Sequence, residues 1–236
     1  RQVLGADTAI VVDAYDETNT RIRPERIAHD IARAGGGLVG MVGVQSNQYP
    51  RAMDLARRFR RLGIDVAIGG FHVSGTLAML PGITPELQEA TDLGIALYAG
   101  EAEDGLEDLL RDAHAGTLRS VYNHMAALPN LAGVPIPRLP VDRISRTAGF
   151  MTTFDAGRGC PFQCSFCTII NVQGRISRRR TPDDVEAIVR HNAAQGVHSF
   201  FITDDNFARN KDWEPIFDRL IALREQCGFG IKLTSR

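Results

Sequence analysis

The feature that most limits what this chain can fold into is a rhythm: short apolar runs alternate with stretches whose apolar residues recur at helical spacing. "AIVVDA", Ala9 to Ala14, reads as a buried strand, and "RPERIAHDIARAG" then sets Ile27, Ile31 and Ala34 on one helical face behind Pro24. "LVGMVGV", Leu38 to Val44, is a second strand, followed by "YPRAMDLARRFRRLG" with Ala52, Leu55, Ala56, Phe59 and Leu62 in one stripe. "DVAIGG", Asp65 to Gly70, and "GIALYAG", Gly94 to Gly100, add two more strands, and "DGLEDLLRDAHAG" a helix with Leu106, Leu109, Leu110 and Ala113 inward. Such alternation predicts an α/β domain: a parallel sheet covered by helices on both faces, with its ligand crevice at the carboxyl ends of the strands. A doubly wound sheet ordinarily starts from a strand earlier than the one at Ala9, so the first strand is expected upstream of Arg1.

The rhythm breaks over residues 121–149, where "LPNLAGVPIPRLPVDR" holds prolines without periodicity and predicts a semi-rigid linker. It resumes with "FMTTFDAG" as a strand, a cysteine-bearing loop, and "TPDDVEAIVRHNAAQG" as a helix with Thr181 as N-cap, Pro182 first, and Asp183 and Asp184 in the first turn. "VHSFFITDD" is the next strand, "WEPIFDRLIALREQCG" a helix with Trp213, Ile216, Phe217, Leu220 and Ile221 on one face, and "GIKLTSR" begins another strand. The expected organisation is a first domain over 1–120, a linker over 121–149 and a second domain from 150 to 236. Two strand-helix units and one further strand cannot close a barrel, so the second domain is expected to continue beyond Arg236.

A formal net charge of -1 gives no general attraction to nucleic acid or anionic membrane, and no apolar run approaches the ~20 residues of a spanning helix. Three of the four cysteines, Cys160, Cys164 and Cys167, crowd into "GRGCPFQCSFCTI". That is unlike the spread pairs of a secreted disulfide scaffold, and it favours a reducing, cytoplasmic setting. A structural zinc site wants four ligands, usually as two separated pairs, whereas three thiolates on a cubic iron-sulfur cluster leave one iron open for substrate or cofactor. The alternative is zinc with His191 or Cys227 as fourth ligand; Cys227, at a helix end, also reads as an ordinary thiol. In the first domain the Val44 to Tyr49 turn offers Gln45, Ser46 and Asn47 as hydrogen-bonding groups at a strand's carboxyl end. Gly69 and Gly70 leave a backbone that a flat ligand can approach.

The spacing CxxxCxxC, here "CPFQCSFC" with Phe166 before the last cysteine, resembles the cluster loop of the radical S-adenosylmethionine superfamily. Arg158 and Gly159 ahead of it also match that family's habit. The resemblance implies a 4Fe-4S cluster on Cys160, Cys164 and Cys167, whose open iron chelates S-adenosylmethionine and whose electron cleaves it to a 5′-deoxyadenosyl radical. It also implies Phe166 as an S-adenosylmethionine contact. "FFITDDNF" looks like the motif that holds the methionine ammonium in cobalamin-dependent members, with Asp204 and Asp205 as acceptors; the alternative is strand-end acids capping the next helix.

The domain in front resembles the cobalamin-binding domain of class B radical enzymes through "LVGMVGVQSNQYPRAMDLARRFRRLGIDVAIGGFHVS" and "YAGEAEDGLEDLL". On that resemblance Val44, Gln45, Ser46, Gly69, Gly70, His72, Gly100 and Glu101 are cobalamin contacts. His72 serves equally as a packing residue, and the cobalt is expected to lack a histidine below it.

The implied fold is a flavodoxin- or Rossmann-like cobalamin domain followed by a truncated, partial (β/α) radical barrel. The implied activity is methyl transfer from methylcobalamin to an unactivated carbon or phosphorus. The implied partners are a small-molecule or peptide substrate and a reductant such as flavodoxin or ferredoxin. A cobalamin-dependent oxidative cyclase without methyl transfer, and a zinc-stabilised corrinoid or nucleotide sensor without catalysis, are the alternatives. Arg178 to Arg180 are read as a solvated helix start balancing Asp183 and Asp184, with contact to an anionic substrate or cofactor carboxylate as the other reading.

Overall fold

A computed structural model describes residues 4, 5, 8–146, 149–204, 206–228 and 230–235. The alternating pattern folds as two separate α/β units, Arg1–Pro129 and Asn130–Arg236. In chain order the first unit contains α1 (Pro24–Arg33), β1 (Leu38–Met41), α2 (Tyr49–Arg61), β2 (Asp65–Gly69), α3 (Phe71–Met79), α4 (Pro85–Asp92), β3 (Ala96–Ala99), α5 (Leu106–Ala115) and β4 (Val121–Asn123). All four strands are parallel and lie in the order β1-β2-β3-β4, with Leu38 opposite Asp65, Ala67 opposite Ala96 and Leu97 opposite Val121.

Parallel strands covered on both faces are apolar throughout, and β3 is buried at every position. One core joins Ala52, Leu55, Ala56 and Phe59 of α2 to Val66, Ile68, Leu87, Ile95 and Leu97; a second gathers Ala67, Ala96, Tyr98, Leu109 and Tyr122. Leu62 and Leu106, assigned to inward stripes, stand 41% and 42% exposed at the helix ends.

The second unit contains α6 (Val141–Ile144), β5 (Met151–Phe154), β6 (Gly157–Arg158), α7 (Ile169–Val172), β7 (Arg178–Arg179), α8 (Pro182–Ala193), β8 (Ser199–Ile202), α9 (Trp213–Cys227) and β9 (Lys232–Ser235). Strands β5, β8 and β9 form a parallel sheet in that order, and β6 pairs antiparallel with β7. Helix α8 starts in a full capping box. The Thr181 hydroxyl accepts the Asp184 N–H at 3.1 Å, and the Asp184 carboxylate accepts the Thr181 N–H at 2.9 Å. Val185, Ile188 and Val189 of α8 pack with Phe154, Phe200, Ile202 and Ile216, Leu220 and Leu223 of α9.

Two expectations fail. Ala9 to Ala14 forms no strand, and Val11 and Val12 are 81% and 82% exposed: β propensity alone gives no ladder where no strand pairs with it. The stretch read as a linker is exposed over most of its described residues, but it carries a strand and buried anchors. Its residues 121–123 are β4, and beyond residue 129 Leu131 and Ile144 are fully buried while Ile136 packs on the second unit's core. Those apolar residues lie between prolines without a period, so their burial left no periodic sign.

Candidate functional site

The cysteines sit on a loop that the protein closes by itself. β5 ends at Phe154, and the chain passes buried Ala156 into β6, whose pairing with β7 sets Gly157 opposite Arg179 and Arg158 opposite Arg178. Residues 159–177 are therefore a loop with a pinned mouth. Just inside, the Cys160 N–H donates to the Gly174 carbonyl at 3.1 Å, and the Gly159 N–H to Gln173 Oε1 at 3.3 Å. Gly159, at φ +81°, has no room for a side chain: a Cβ there would stand 2.3 Å from the Ile176 carbonyl oxygen.

Within the loop the Cys167 N–H bonds the Cys164 carbonyl at 3.1 Å. Cys160 and Cys167 are partly buried, Cys164 is exposed, and all three are free thiols. Phe162 and Phe166 turn to solvent, Phe166 at 87% exposure. The three cysteines share one loop. Among the described residues no three His, Cys, Asp or Glu side chains are gathered closely enough to hold a metal ion. The donor set itself, three thiolates within eight residues, fits a cluster with an open iron.

Asp204 lies at the carboxyl end of β8, buried, with Oδ1 accepting the Ala156 N–H at 2.7 Å. It thus ties β8 to the start of the cysteine loop. Asp205 lies outside the described residues. Arg180 corrects the expectation of a solvated arginine run: it is 1% exposed, and its guanidinium meets both the carbonyl and the carboxylate of Asp155. Arg179 faces Asp212 at 3.2 Å, and Arg178 Nη2 donates to the Gln173 carbonyl at 3.0 Å. Sequence reasoning missed Asp155 and Arg209, whose Nη1 donates to the Gly159 carbonyl at 2.6 Å; the only visible sign was Arg158 three residues after Asp155.

Burial pushes the Asp184 carboxyl upward. Hydrogen bonds from Thr181 and the Gly133 N–H, with the Arg180 charge, outweigh it and hold the group below the usual carboxylate range.

In the first unit the residues singled out from the sequence do come together, at the carboxyl rim of the sheet. The Val44 N–H donates to the Gly69 carbonyl and the His72 N–H to the Val44 carbonyl, both at 3.0 Å, and the Gly100 N–H donates to Ser74 Oγ at 3.0 Å. The glycines have a reason other than ligand approach. A Cβ on Gly70, at φ +141°, would fall 2.2 Å from the Val44 nitrogen, and one on Gly100 2.8 Å from the His124 carbonyl carbon. The backbone of the Val44 and His124 loops lies where side chains on Gly70 and Gly100 would stand. Gln45 and Ser46 are exposed on the rim, and Glu101 is partly buried.

His72 is buried. Its Nδ1 lies 3.2 Å from Ser46 Oγ, its Nε2 3.3 Å from a Glu86 oxygen, and its ring 4.1 Å from that of Tyr49. It acts as a wedge between the β1 turn and α4, the packing alternative. Burial, then the charges of Glu86 and Glu89, pushes the Tyr49 phenol up to about 12 against an opposing effect of Arg57. Burial, with Glu103, Asp108 and Asp104, does the same for Tyr98. His124, which sequence reasoning passed over, stacks on Tyr98 at 5.3 Å beside Gly100.

A three-cysteine loop directly after the first strand of a parallel sheet points to the class, and residues 155–236, most of the second unit, match the Radical SAM superfamily. The relatives then point to a branch within it. The chain is 30% identical over 192 residues to the bacteriochlorophyllide d C-8(2)-methyltransferase of Chlorobaculum tepidum, covering 75% of this chain and 40% of that protein. It is 27% identical over 233 residues to the hopanoid C-2 methylase of Rhodopseudomonas palustris, covering 95% of this chain and 42% of that protein.

Among solved structures it resembles the radical S-adenosylmethionine methyltransferase TsrM of Kitasatospora setae, at TM-score 0.65 and 17% identity over 86% of this chain and 43% of that one. It also resembles the cobalamin-dependent radical enzyme OxsB, at TM-score 0.57 and 17% identity over 84% of this chain and 30% of that one. The chain spans about two fifths of the length of these curated relatives. The resemblance to cobalamin-dependent radical enzymes drawn from the sequence is met by these findings. Among the described residues no helix is long and apolar enough to cross a membrane.

Proposed function

We propose that the protein is a cobalamin-dependent radical S-adenosylmethionine methyltransferase acting on an unactivated carbon or phosphorus. The observation that carries this reading is the three-cysteine loop, closed by its own hairpin, at the carboxyl end of the first strand of the second unit's sheet. That is the end where parallel α/β enzymes gather their chemistry. The similarity to methyltransferases supports methyl transfer, and the cobalamin bound in the structurally similar TsrM and OxsB supports a corrinoid on the first unit.

Cys160, Cys164 and Cys167 would hold the cluster, with Phe166, Asp204 and Asp205 against S-adenosylmethionine. Val44, Gln45, Ser46, Gly69, Gly70, His72, Gly100 and Glu101 form the rim proposed for cobalamin. When bound, these groups supply a 5′-deoxyadenosyl radical and a transferable methyl group. The chain's own part is to hold and orient. Ser46 offers an exposed hydroxyl backed by buried His72, Asp204 is fixed by the Ala156 N–H, and the hairpin keeps the thiol loop closed. A reductant such as flavodoxin or ferredoxin, a small-molecule or peptide substrate and a cytoplasmic setting complete the proposal.

Anaerobic reconstitution of the full-length protein tests it. The expected result is about four irons per chain, deoxyadenosine formed from S-adenosylmethionine, retained hydroxocobalamin, and loss of iron in Cys164→Ala. One zinc per chain, or no deoxyadenosine, overturns the reading.

A further inference from the structure

The mouth of the cysteine loop is fastened by a carboxylate that no cofactor role assigns. Asp155 directly follows β5. Its Oδ2 accepts Arg158 Nε at 2.6 Å, and its Oδ1 accepts Arg180 Nη2 at 3.3 Å. Arg180 Nε also donates to the Asp155 carbonyl at 3.0 Å, and the Arg180 N–H to the Ala156 carbonyl at 2.9 Å. The side chains of Asp155, Arg158 and Arg180 are 18%, 19% and 1% exposed. Arg158 precedes the first cysteine by two residues, and Arg180 follows the last by thirteen. One carboxylate therefore bridges the two ends of the loop.

We propose that Asp155 is a positioning residue for cluster assembly: gripped by arginines on either side of the cysteines, it holds the loop closed before any metal arrives. The inference rests on the cluster reading above. Its physical basis is the separation of two costs. Closing a loop of this length loses chain entropy, and contacts made wholly within the chain would meet that loss without metal, which would then gather only the sulfurs. A bridging carboxylate is suited to the task because its hydrogen bonds are charge-assisted, and because removing it strands the buried Arg180 charge.

Amide hydrogen exchange on the metal-free, full-length protein tests the closure, and the rate of iron and sulfide uptake tests its purpose. Asp155→Asn and Arg158→Gln are each expected to speed exchange across residues 156–180 by about tenfold or more, leaving α9 unchanged. Each is expected to slow cluster assembly by a similar factor, with partial recovery in Arg158→Lys. Cys164→Ala should lose iron yet keep wild-type protection of the loop.

Wild-type protection and uptake rate in Asp155→Asn overturn the proposal, as does a wild-type loop that exchanges without protection. If Asp155→Asn loses protection everywhere, Arg158→Gln, which keeps Arg180 paired, decides in the same assay. If the wild-type protein takes up no iron, the cluster reading falls while the exchange measurement still decides whether Asp155 closes the loop.

Discussion

Replacing Gly70 by alanine should cripple the first unit and leave the second alone. Gly70 follows β2 at φ +141° and ψ -171°, a backbone region open essentially to glycine, and forcing another residue there costs roughly 1–3 kcal/mol. The added methyl would also meet the Val44 nitrogen at 2.2 Å and the Gly43 carbonyl carbon at 2.7 Å, both backbone atoms with no side chain to swing aside. Overpacking of that kind adds roughly 1–3 kcal/mol. The total of roughly 2–6 kcal/mol is a large part of the ~5–15 kcal/mol that holds a domain together. At about 4 °C per kcal/mol for a domain of this size, Tm should fall by roughly 8–24 °C.

The control is Gly116→Ala at the end of α5. There φ is +68° but nothing lies within 4 Å of the new methyl, so about 1–2 kcal/mol is expected. The two units carry separate reporters: all four tyrosines, Tyr15, Tyr49, Tyr98 and Tyr122, lie in the first, and the only tryptophan, Trp213, in the second. Tyrosine absorbance and tryptophan fluorescence during thermal unfolding therefore follow each unit by itself. A Gly70→Ala transition matching that of Gly116→Ala, or a shift confined to the tryptophan signal, would refute the account of the rim as backbone packed on backbone.

Tyr49 and Tyr98 should ionise only near pH 12 in spectrophotometric titration. A tyrosine whose folded pKa is raised stabilises the fold below its unfolded value of about 10, and that stability drains away as pH rises from there toward 12; a urea midpoint that holds steady across this window contradicts the assignment. Thr181→Ala removes the N-cap of α8 and should cost about 1 kcal/mol, read from the urea midpoint of Trp213 fluorescence. The Asp184 carboxyl, held low, contributes stability above the ordinary aspartate range that is lost as pH falls through its folded pKa, so acid unfolding of the second unit should begin at higher pH in that variant. Phe200→Ala, which empties a fully buried position in β8, should cost about 3–5 kcal/mol in the same assay.

What the sequence made legible was what local pattern encodes. β1, β2 and β3 fall inside the apolar runs at Leu38, Asp65 and Gly94, α2 carries its stripe, and α8 begins at the expected Thr181 with the expected acids. The cysteine loop stood out because three sulfurs at close spacing have few other uses. What stayed hidden depends on partners distant in sequence. The two-residue ribbon β6-β7 is too short for any periodicity, and Arg180 reads as one of three surface arginines until Asp155, twenty-five residues earlier, is seen against it. Gly70 and Gly100 were noticed, but what fills their space is other backbone. The shape of the apolar run at Ala9 to Ala14 is that of a strand; pairing decides, and pairing is not a local property.

Each sheet contact in the first unit joins a strand to the one immediately before it, in the order β1-β2-β3-β4, and the second unit repeats this in β5-β8-β9 around an insertion that closes on itself. On a ribosome such a topology can be assembled in the order of synthesis. Each strand after the first of its sheet finds its neighbour already made, and the ribbon beneath the thiol loop can pair as soon as Arg180 emerges, before β8 is translated. On the closure proposed for Asp155, filling of the cysteine loop becomes separable in time from completion of the fold.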